Sequence, residues 1–505
     1  MLTKILPIYY RKRLLFNATL SVVQVVVLGA TYFIIYTILL KNLGSQKLGT
    51  WSVVLSTSSI ASIANIGLSS SLVKYIASYS NFKENNSSNI NNLIKTSILS
   101  IGIFVGFVSI CLYFLGFYLL GVALPISELK EARSLLPFSL ISLWIGSLGG
   151  IFLSTLDGFH SSSLRSLIYI ISALIFVLIG LQLLPYYGLM GIAIAQIIQA
   201  IAIVLLSFFG IKFVFKDFNI FPLHWDRATF DNIFKFSLDF QIIGLSQLLY
   251  DPVTKFFLAR YGGLSFVGYY EMSSRLIVQI RTLIVSANQV MIPSIASSSV
   301  NNMDKSYAKV LNLVISVTFP TMVGVIVFTP YVCYYWIGHY EVYFMWSLLT
   351  LTISWCLNIM STPAYFSCIG LGNLKGILFS HIFMAVANTL LGWIFGNYFA
   401  GLGVIMAWGI SIAIGSIITL IFYKQNYRKG YIDVDKNHFY SFLIPSILCI
   451  VVCYYLFEMN YTHLLPLKLL FFTALIFCVY LLLLLSIYIK KVNYFLKKVQ
   501  PKFKV

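Results

Sequence analysis

The sequence predicts an all-α integral membrane protein of about fourteen transmembrane helices, arranged as two six-helix lobes and two further helices at the C-terminus. The chain of 505 residues is 59% hydrophobic and only 10% charged. Apolar runs of roughly 20 residues, long enough to cross a bilayer, recur from end to end. Basic residues are concentrated in alternate loops, and the two halves of the chain repeat one residue pattern. No polar stretch is long enough to form an independent domain.

The length of each apolar run and the loop residues between runs set the limits of the helices. The first run is too long for the core of a signal peptide and lacks a small-residue cleavage site, so we expect a mature membrane span. The expected helices cover residues 14–40, 48–78, 93–121, 133–156, 163–184, 188–212, 231–259, 264–296, 307–330, 343–369, 375–397, 401–423, 439–457 and 464–489.

The net charge of +19 indicates topology rather than nucleic-acid binding. Most of the 34 Lys and Arg residues precede the first helix, follow the last, or fall in alternate loops. With both termini in the cytoplasm, this distribution obeys the positive-inside rule. The seven cysteines lie almost all in apolar runs, without the spacing of a metal site or a disulfide framework. We therefore expect no metal and no cofactor.

An internal repeat predicts how the helices are grouped. A shift of 219 residues lays LGSQKLGTW (residues 43–51) on GGLSFVGYY (residues 262–270), and a shift of 212 lays Gly191 on Gly403. An even number of helices per repeat makes the two lobes parallel, related by a pseudo-two-fold axis along the membrane normal. The predicted domains are an N-lobe at 1–213, a cytoplasmic interfacial linker at 214–230, a C-lobe at 231–424, and two C-terminal helices with a basic tail at 425–505.

Six ionisable side chains interrupt the apolar pattern, and all of them lie in one helical hairpin. A charge at the bilayer centre costs at least about 2.5 kcal/mol, so such residues face a watery cavity or one another. The first arm of the hairpin carries Asp239, Asp251 and Lys255, and the second carries Glu271, Arg275 and Arg281.

Helical spacing allows Glu271 to pair with Arg275, and Asp251 to pair with Lys255, as i,i+4 neighbours. These pairs either hold the lobe together or contact the cargo. Arg281 has no acid within one turn, and a guanidinium suits a diphosphate because it donates paired hydrogen bonds and keeps its charge. We expect Arg281, then Arg275, to contact pyrophosphate or an anionic sugar.

Other polar residues complete the set of candidates. Asp251 either forms an ion pair or binds a coupling ion or proton. Asp239 lies near the cytoplasmic end of its helix, so it either snorkels or caps the helix, or it binds the coupling ion or proton. A lone buried His more often packs than binds, and small polar residues also let helices pack closely. No phosphate-binding glycine loop or catalytic triad is present in the sequence, so no catalytic residue is expected. The further candidates for substrate contact are Lys255, Glu271 and Asn288, and those for lining a cavity are Asn65, Gln24, His381 and Asn388.

Several motifs resemble a known family. LGSQKLGTWSVVLS with IGLSSSLVKYIA in the first half, and LARYGGLSFVGYYEMSSRL in the second, are similar to the polysaccharide transporters of the multidrug/oligosaccharidyl-lipid/polysaccharide exporter superfamily. YGLMGIAIAQ and AGLGVIMAW resemble the small-residue turn between paired helices of that family. The resemblance covers roughly residues 10–425.

The resemblance implies a flippase for undecaprenyl-pyrophosphate-linked oligosaccharide of O-antigen, capsule or a related surface glycan. Such proteins alternate between inward- and outward-facing states in the bacterial cytoplasmic membrane. The implied partners are the lipid-linked glycan, membrane lipids, and a glycan polymerase with a chain-length regulator, but no nucleic acid. The related flippases for peptidoglycan precursors carry basic residues on their first helix, and this chain has none within its first apolar run.

Two alternatives stay open. A small-molecule or drug exporter of the same superfamily would need an acidic cavity for cations, whereas the deepest charge here is Arg281. An integral-membrane glycan polymerase or glycosyltransferase would need a large outer loop with catalytic side chains. The expected outer loops have only about five to a dozen residues, which argues against a membrane enzyme.

Overall fold

The computed structural model describes residues 2–65, 68–81, 87–289, 300–371, 374–427, 436–460 and 466–499. Within these ranges the chain is helical almost throughout and contains no β-strand, which confirms the all-α class. The helices are α1 (Leu2–Ser59), α2 (Leu68–Asn81), α3 (Ser87–Ala123), α4 (Ile126–Gly158), α5 (Ser162–Tyr187), α6 (Leu189–Val214), α7 (Arg227–Tyr261), α8 (Leu264–Gln289), α9 (Val300–Ile337), α10 (Val342–Gly370), α11 (Lys375–Tyr427), α12 (Lys436–Asn460) and α13 (Pro466–Val499).

Each of the fourteen expected spans overlaps a helical segment in the described part of the chain, and residues 290–296 of the eighth span lie outside that part. Two long helices contain two spans each, because the backbone of α1 breaks at Gly44 and that of α11 breaks at Ala400. The helix limits differ from the expected ones at several places, and two of them are informative. A 3₁₀ segment at Ile60–Asn65 interrupts the second expected span. The span expected to end at residue 330 continues to Ile337 with Pro330 inside it, as membrane helices tolerate when neighbouring groups satisfy the backbone.

The protein is a multi-pass membrane protein. In the described part of the chain, ten helices are long and apolar enough to cross a membrane, and two of these are the broken helices α1 and α11. Helix α8 is not among them, because Glu271, Arg275 and Arg281 all lie in its described part. Apolarity alone therefore overlooks a helix in which charge is concentrated.

The chain divides into two compact units. The first comprises residues 1–279 and 381–408, and the second comprises residues 280–380 and 409–505. Apolar side chains of α2 to α6, among them Leu72, Ile94 and Leu156, form a buried core in the first unit. In the second unit, α9 is tied to α13 by the Tyr331 hydroxyl, which hydrogen-bonds Thr473 at 2.5 Å. The lobe limits drawn from the sequence stay a prediction.

The segment after α6 docks on α3 by its own backbone and side chains. Asn91 accepts a hydrogen bond from the Asn219 backbone at 3.1 Å, and the Trp225 indole donates to Ser100 Oγ at 3.0 Å. Phe218 enters the buried core of the first unit. The segment is non-helical over residues 215–226, close to the predicted linker at 214–230. Its position at the membrane surface stays a prediction.

Helix α7 begins at a side-chain cap. The backbone N–H and the hydroxyl of Thr229 donate to the Asp226 carboxylate at 2.8 and 2.5 Å. This cap satisfies an N–H group that has no partner within the helix. The same hydrogen bonds, that of the hydroxyl first, lower the pKa of Asp226 because they favour the charged carboxylate.

The two repeat shifts recur in the backbone. Gly44 and Gly263, related by the shift of 219, have φ of 85° and 81°. Gly188 and Ala400, related by the shift of 212, have φ of 55° and 53°. Left-handed φ is uncommon and favours glycine. Its occurrence at matched positions supports the internal repeat, although the second site of the later pair carries alanine.

Glycines let the second arm of α1 cross the start of α8 at van der Waals contact. A Cβ added at Gly49 would collide with the carbonyl oxygen of Leu264, and one added at Gly268 would collide with that of Ser45. The shift of 219 exchanges these two contacts, so the crossing has a local pseudo-two-fold symmetry. It brings Ser52 and Glu271, which the same shift relates, within hydrogen-bond distance.

Candidate functional site

Lys255 is the centre of a buried ion-pair network in the first unit. Its Nζ is 2.6 Å from Asp251 Oδ2, one turn earlier on α7, and 2.6 Å from Glu271 Oε2 on α8. The side chains of Lys255 and Glu271 are 1% and 3% exposed, whereas that of Asp251 is 45% exposed. A buried ammonium is tolerated only when its charge is paired, so the two carboxylates make the burial of Lys255 possible.

Glu271 is satisfied by protein groups at both of its oxygens. Oε1 accepts hydrogen bonds from the Tyr36 hydroxyl and from Arg275 Nε, each at 2.7 Å. Oε2 accepts from Ser52 Oγ at 3.1 Å and pairs with Lys255. A carboxylate offers about four acceptor positions. These donors fill them, and the side chain holds two helices of the second repeat to α1 of the first.

The structure confirms both predicted i,i+4 pairs and joins them into one neutral network. Two acids, Asp251 and Glu271, balance two bases, Lys255 and Arg275. Spacing along one helix could not reveal the Lys255–Glu271 contact, because it joins different helices. The internal repeat could have indicated that the helices of Ser52 and Glu271 cross. The shift that relates these two residues also relates the glycines that let the helices approach.

Arg275 lies at the accessible edge of this network. Its side chain is 38% exposed, and its guanidinium carbon lies 4.9 Å from the centre of the Tyr32 ring. One N–H group is committed to Glu271. The arrangement fixes the guanidinium by an ion pair and by a cation–π contact while part of it remains accessible.

Arg281, in the second unit, is held by neutral groups. Its Nε donates to Asn358 Oδ1 at 3.1 Å, and its guanidinium carbon lies 4.6 Å from the Trp355 ring centre. Asn358 in turn donates to Ser416 Oγ at 3.1 Å, which fixes the orientation of its amide. Among the described residues, no carboxylate is within ion-pair distance of Arg281. The sequence candidates named above include neither Trp355 nor Asn358.

Two of the expected cavity residues bind neighbouring helices within the first unit. His381 Nδ1 is 2.9 Å from the Tyr250 hydroxyl, and its Nε2 is 3.2 Å from Gln247 Nε2. Asn388 is 1% exposed and donates to Thr254 Oγ1 at 3.0 Å. These contacts connect α7 to the first part of α11, so both residues serve packing in this structure.

The structure bears less on the other candidates. Gln24 is partly buried on α1. The side chains of Asn65, Asp239 and Asn288 lie outside the described ones. Among the described residues, no group of three or more His, Cys, Asp or Glu side chains could hold a metal ion.

The fold and the distribution of charge identify the class of protein. Membrane helices in parallel repeats, with ionisable side chains concentrated on one helix pair, form the fold of a membrane transporter. Residues 17–299, more than half of the chain, match the family model described as polysaccharide biosynthesis protein. The chain belongs to this family, within the multidrug/oligosaccharidyl-lipid/polysaccharide exporter superfamily.

Solved structures of the same superfamily share the fold. The chain superposes on the lipid II flippase MurJ in an inward closed conformation with a TM-score of 0.73 and 17% identity, covering 95% of this chain and 100% of that one. An inward-facing multidrug resistance MATE family transporter gives a TM-score of 0.64 and 14% identity, covering 79% and 94%. A superfamily transporter from Pyrococcus furiosus gives 0.57 and 15%, covering 80% and 95%. A search of curated protein sequences gives no significant match.

Proposed function

We propose that the protein is a flippase that moves undecaprenyl-pyrophosphate-linked oligosaccharide from the cytoplasmic to the outer leaflet of a bacterial cytoplasmic membrane. Both termini lie in the cytoplasm, and transport proceeds by alternating access. The polysaccharide biosynthesis family supports a glycan cargo. The similarity in fold to a protein named lipid II flippase supports a cargo carried on a lipid. The repeat unit of O-antigen, capsule or a related surface glycan fits both.

The observation that carries the proposal is Arg281. It is a partly buried cation whose neighbours, Asn358 and Trp355, orient it without neutralising it. Its Nη1 and Nη2 groups make no hydrogen bond to a described residue, so four N–H donors are left for a ligand. A guanidinium fork matches the paired oxygens of a diphosphate and keeps its charge in a membrane. We assign the pyrophosphate or an anionic sugar to this group.

The remaining predicted contacts have different places in the proposed site. Arg275 is the second contact, because its guanidinium is partly exposed although Glu271 shares its charge. Lys255 and Glu271 support the site by holding Arg275 and the helix crossing in place. Asn288 remains a proposed substrate contact, and Asp251, the most accessible acid of the network, remains the candidate for a coupling ion.

A small-molecule exporter is the second candidate, favoured by the similarity to multidrug transporters. The two candidates differ in the charge of the cargo. A lipophilic cation would be repelled by a site whose uncompensated charge is that of Arg281, whereas a diphosphate would be attracted.

Reconstitution tests the proposal. Proteoliposomes carrying a fluorescent undecaprenyl-pyrophosphate oligosaccharide report its change of leaflet through a membrane-impermeant quencher. We expect Arg281→Ala to slow this movement by about tenfold to a hundredfold, the value of one or two charge-assisted hydrogen bonds. Arg281→Lys should retain part of the activity, because it keeps the charge but loses the fork.

Arg260→Ala is the matched control, since Arg260 is an exposed arginine in the last turn of α7. It should leave transport unchanged. Movement of tetraphenylphosphonium without movement of the glycan lipid would favour the exporter. Equal transport by the wild type and Arg281→Ala would remove Arg281 from the site.

A further inference from the structure

An apolar groove runs between α3 and α4 on the first unit, and its lining includes no residue of α7 or α8. Its volume is about 400 Å³. The surrounding face is strongly exposed and apolar, with Phe107 66% and Phe114 69% exposed. In a membrane such a face meets acyl chains. The groove is lined by Gly106, Ser109, Ile110, Tyr113, Pro137 and Trp144, among others.

A tryptophan and two glycines build one end of the groove. The Trp144 indole donates to the Gly102 carbonyl at 2.9 Å, which holds its ring flat against α3. Gly106 makes room for it, since an added Cβ would lie 3.2 Å from Trp144 Nε1. This end of the groove is thus formed by a tryptophan ring held in position and by glycines, which carry no side chain.

A single arginine lies at the other end. Arg133 is one turn before Pro137 on α4, and its guanidinium carbon lies 3.9 Å from the ring centre of Phe117, one turn beyond Tyr113 on α3. Its Nη2 donates to the Phe117 carbonyl at 3.2 Å. Its buried Nε has no hydrogen-bond partner among the described residues, and no described carboxylate forms a salt bridge with it. The charge is therefore oriented but not neutralised.

We propose that this groove is a binding site for an anionic glycerophospholipid, with one acyl chain between α3 and α4 and the headgroup phosphate on Arg133. The apolar lining matches the chain, and the uncompensated guanidinium matches the phosphate. Arg133 lies where α3 ends and α4 begins, which is the outer side in the orientation proposed above. The site is independent of the cargo site, so it stands whether or not the proposed transport is correct.

The positive charge of Arg133 at one end of the groove favours an anionic lipid over lipids in general. Any exposed membrane helix contacts acyl chains, but a zwitterionic headgroup carries its own cation and has little need of Arg133. A protein partner would bury more than one narrow groove and would cover the wide exposed face around it. An anionic lipid matches both the apolar groove and the positive charge of Arg133.

Native mass spectrometry of the full chain from mixed micelles tests the site, with phosphatidylglycerol and phosphatidylcholine of the same chains in equal amounts. The wild type should retain phosphatidylglycerol preferentially. Arg133→Gln should reduce that preference about tenfold, since one charge-assisted hydrogen bond is lost. Arg260→Gln makes the same charge change at an arginine that lines a different pocket, and it should leave the preference unchanged.

A second pair of variants tests the groove itself without disturbing the core. Ile110→Trp fills it from an exposed position, and Phe107→Trp adds a similar ring to the same helix outside the lining. The first should lower retention of both lipids, and the second should not. Equal retention of the two lipids by the wild type, or an unchanged preference in Arg133→Gln, would overturn the proposal. Displacement of phosphatidylglycerol by equimolar undecaprenyl phosphate would also overturn it, by making the groove a site for the cargo tail.

Discussion

Two stretches of α8 carry arginine, and their surroundings differ in kind. Around Arg275 the protein supplies two acids and a second base, so the charges of this network cancel within the first unit. Around Arg281, in the second unit, it supplies an amide and an indole, which orient the cation and leave its charge in place. The two arginines are only six positions apart in the sequence.

We interpret this difference as one between a network that stabilises the fold and the proposed cargo site. Burying an ion costs several kcal/mol unless partners repay it. In the network around Glu271, protein groups alone offset this cost. The network also connects the two repeats where α1 and α8 cross at their glycines. Among the described residues, none pairs a negative charge with Arg281, which agrees with the anionic cargo that we propose.

Removing the central acid should produce the largest effect. Glu271→Gln leaves Lys255 buried with one carboxylate and deprives Arg275 of its partner. We expect the free energy of unfolding to fall by about 3–5 kcal/mol, the cost of breaking a buried ion pair. Thermal and denaturant unfolding in detergent would measure the change, with the amount of folded protein in the membrane as a second readout.

Asp251→Asn is the control for that experiment. Asp251 is 45% exposed and leaves Lys255 its contact with Glu271. Its loss should cost less than that of Glu271, about 1–3 kcal/mol, because Lys255 loses one charged partner and keeps the other. If both variants were equally stable, the network would not be structural, and the contrast with Arg281 would fail.

A second variant gives Arg281 a carboxylate partner, as Arg275 already has in Glu271. Asn358→Asp changes one atom of the hydrogen-bonding amide and places a carboxylate about 3.1 Å from Arg281 Nε. The new ion pair would neutralise the cation. We expect transport of the pyrophosphate-linked glycan to fall at least about tenfold, the value of one charge-assisted hydrogen bond. Thermal stability should be unchanged or higher.

Asn358→Ala separates orientation from neutralisation in this experiment. It removes the acceptor but adds no charge, so it should lose less transport than Asn358→Asp. Retention of wild-type transport by Asn358→Asp would show that the charge of Arg281 is not needed by the cargo.

The smallest effect on stability is expected at Ser52, which faces Glu271 across the crossing of α1 and α8. Ser52→Ala removes one of the donors to Glu271 and leaves Lys255 on the same oxygen. The free energy of unfolding should fall by about 1 kcal/mol. Ser58→Ala is the matched control, because Ser58 is equally buried on α1 but donates to its own helix, at the carbonyl of Leu55. A loss no larger than that control would mean that Ser52 only fills space.

Much of the fold could be predicted, because a lipid solvent imposes simple rules. Apolar length indicated fourteen spans, and the shift of 219 residues indicated a repeat whose matched glycines share φ near 80°. Helix ends were less predictable. The end near Pro330 was wrong, because proline breaks a helix only where nothing else satisfies the freed carbonyl.

The sequence by itself determined the membrane class, the repeat, and the two ion pairs on single helices, Glu271–Arg275 and Asp251–Lys255. Each follows from a period or spacing along one stretch of chain. Only the tertiary structure decided that Lys255 joins those pairs and that Asn358 holds Arg281. Those contacts join residues 16 and 77 positions apart, and their distances depend on how helices cross, which no local spacing encodes.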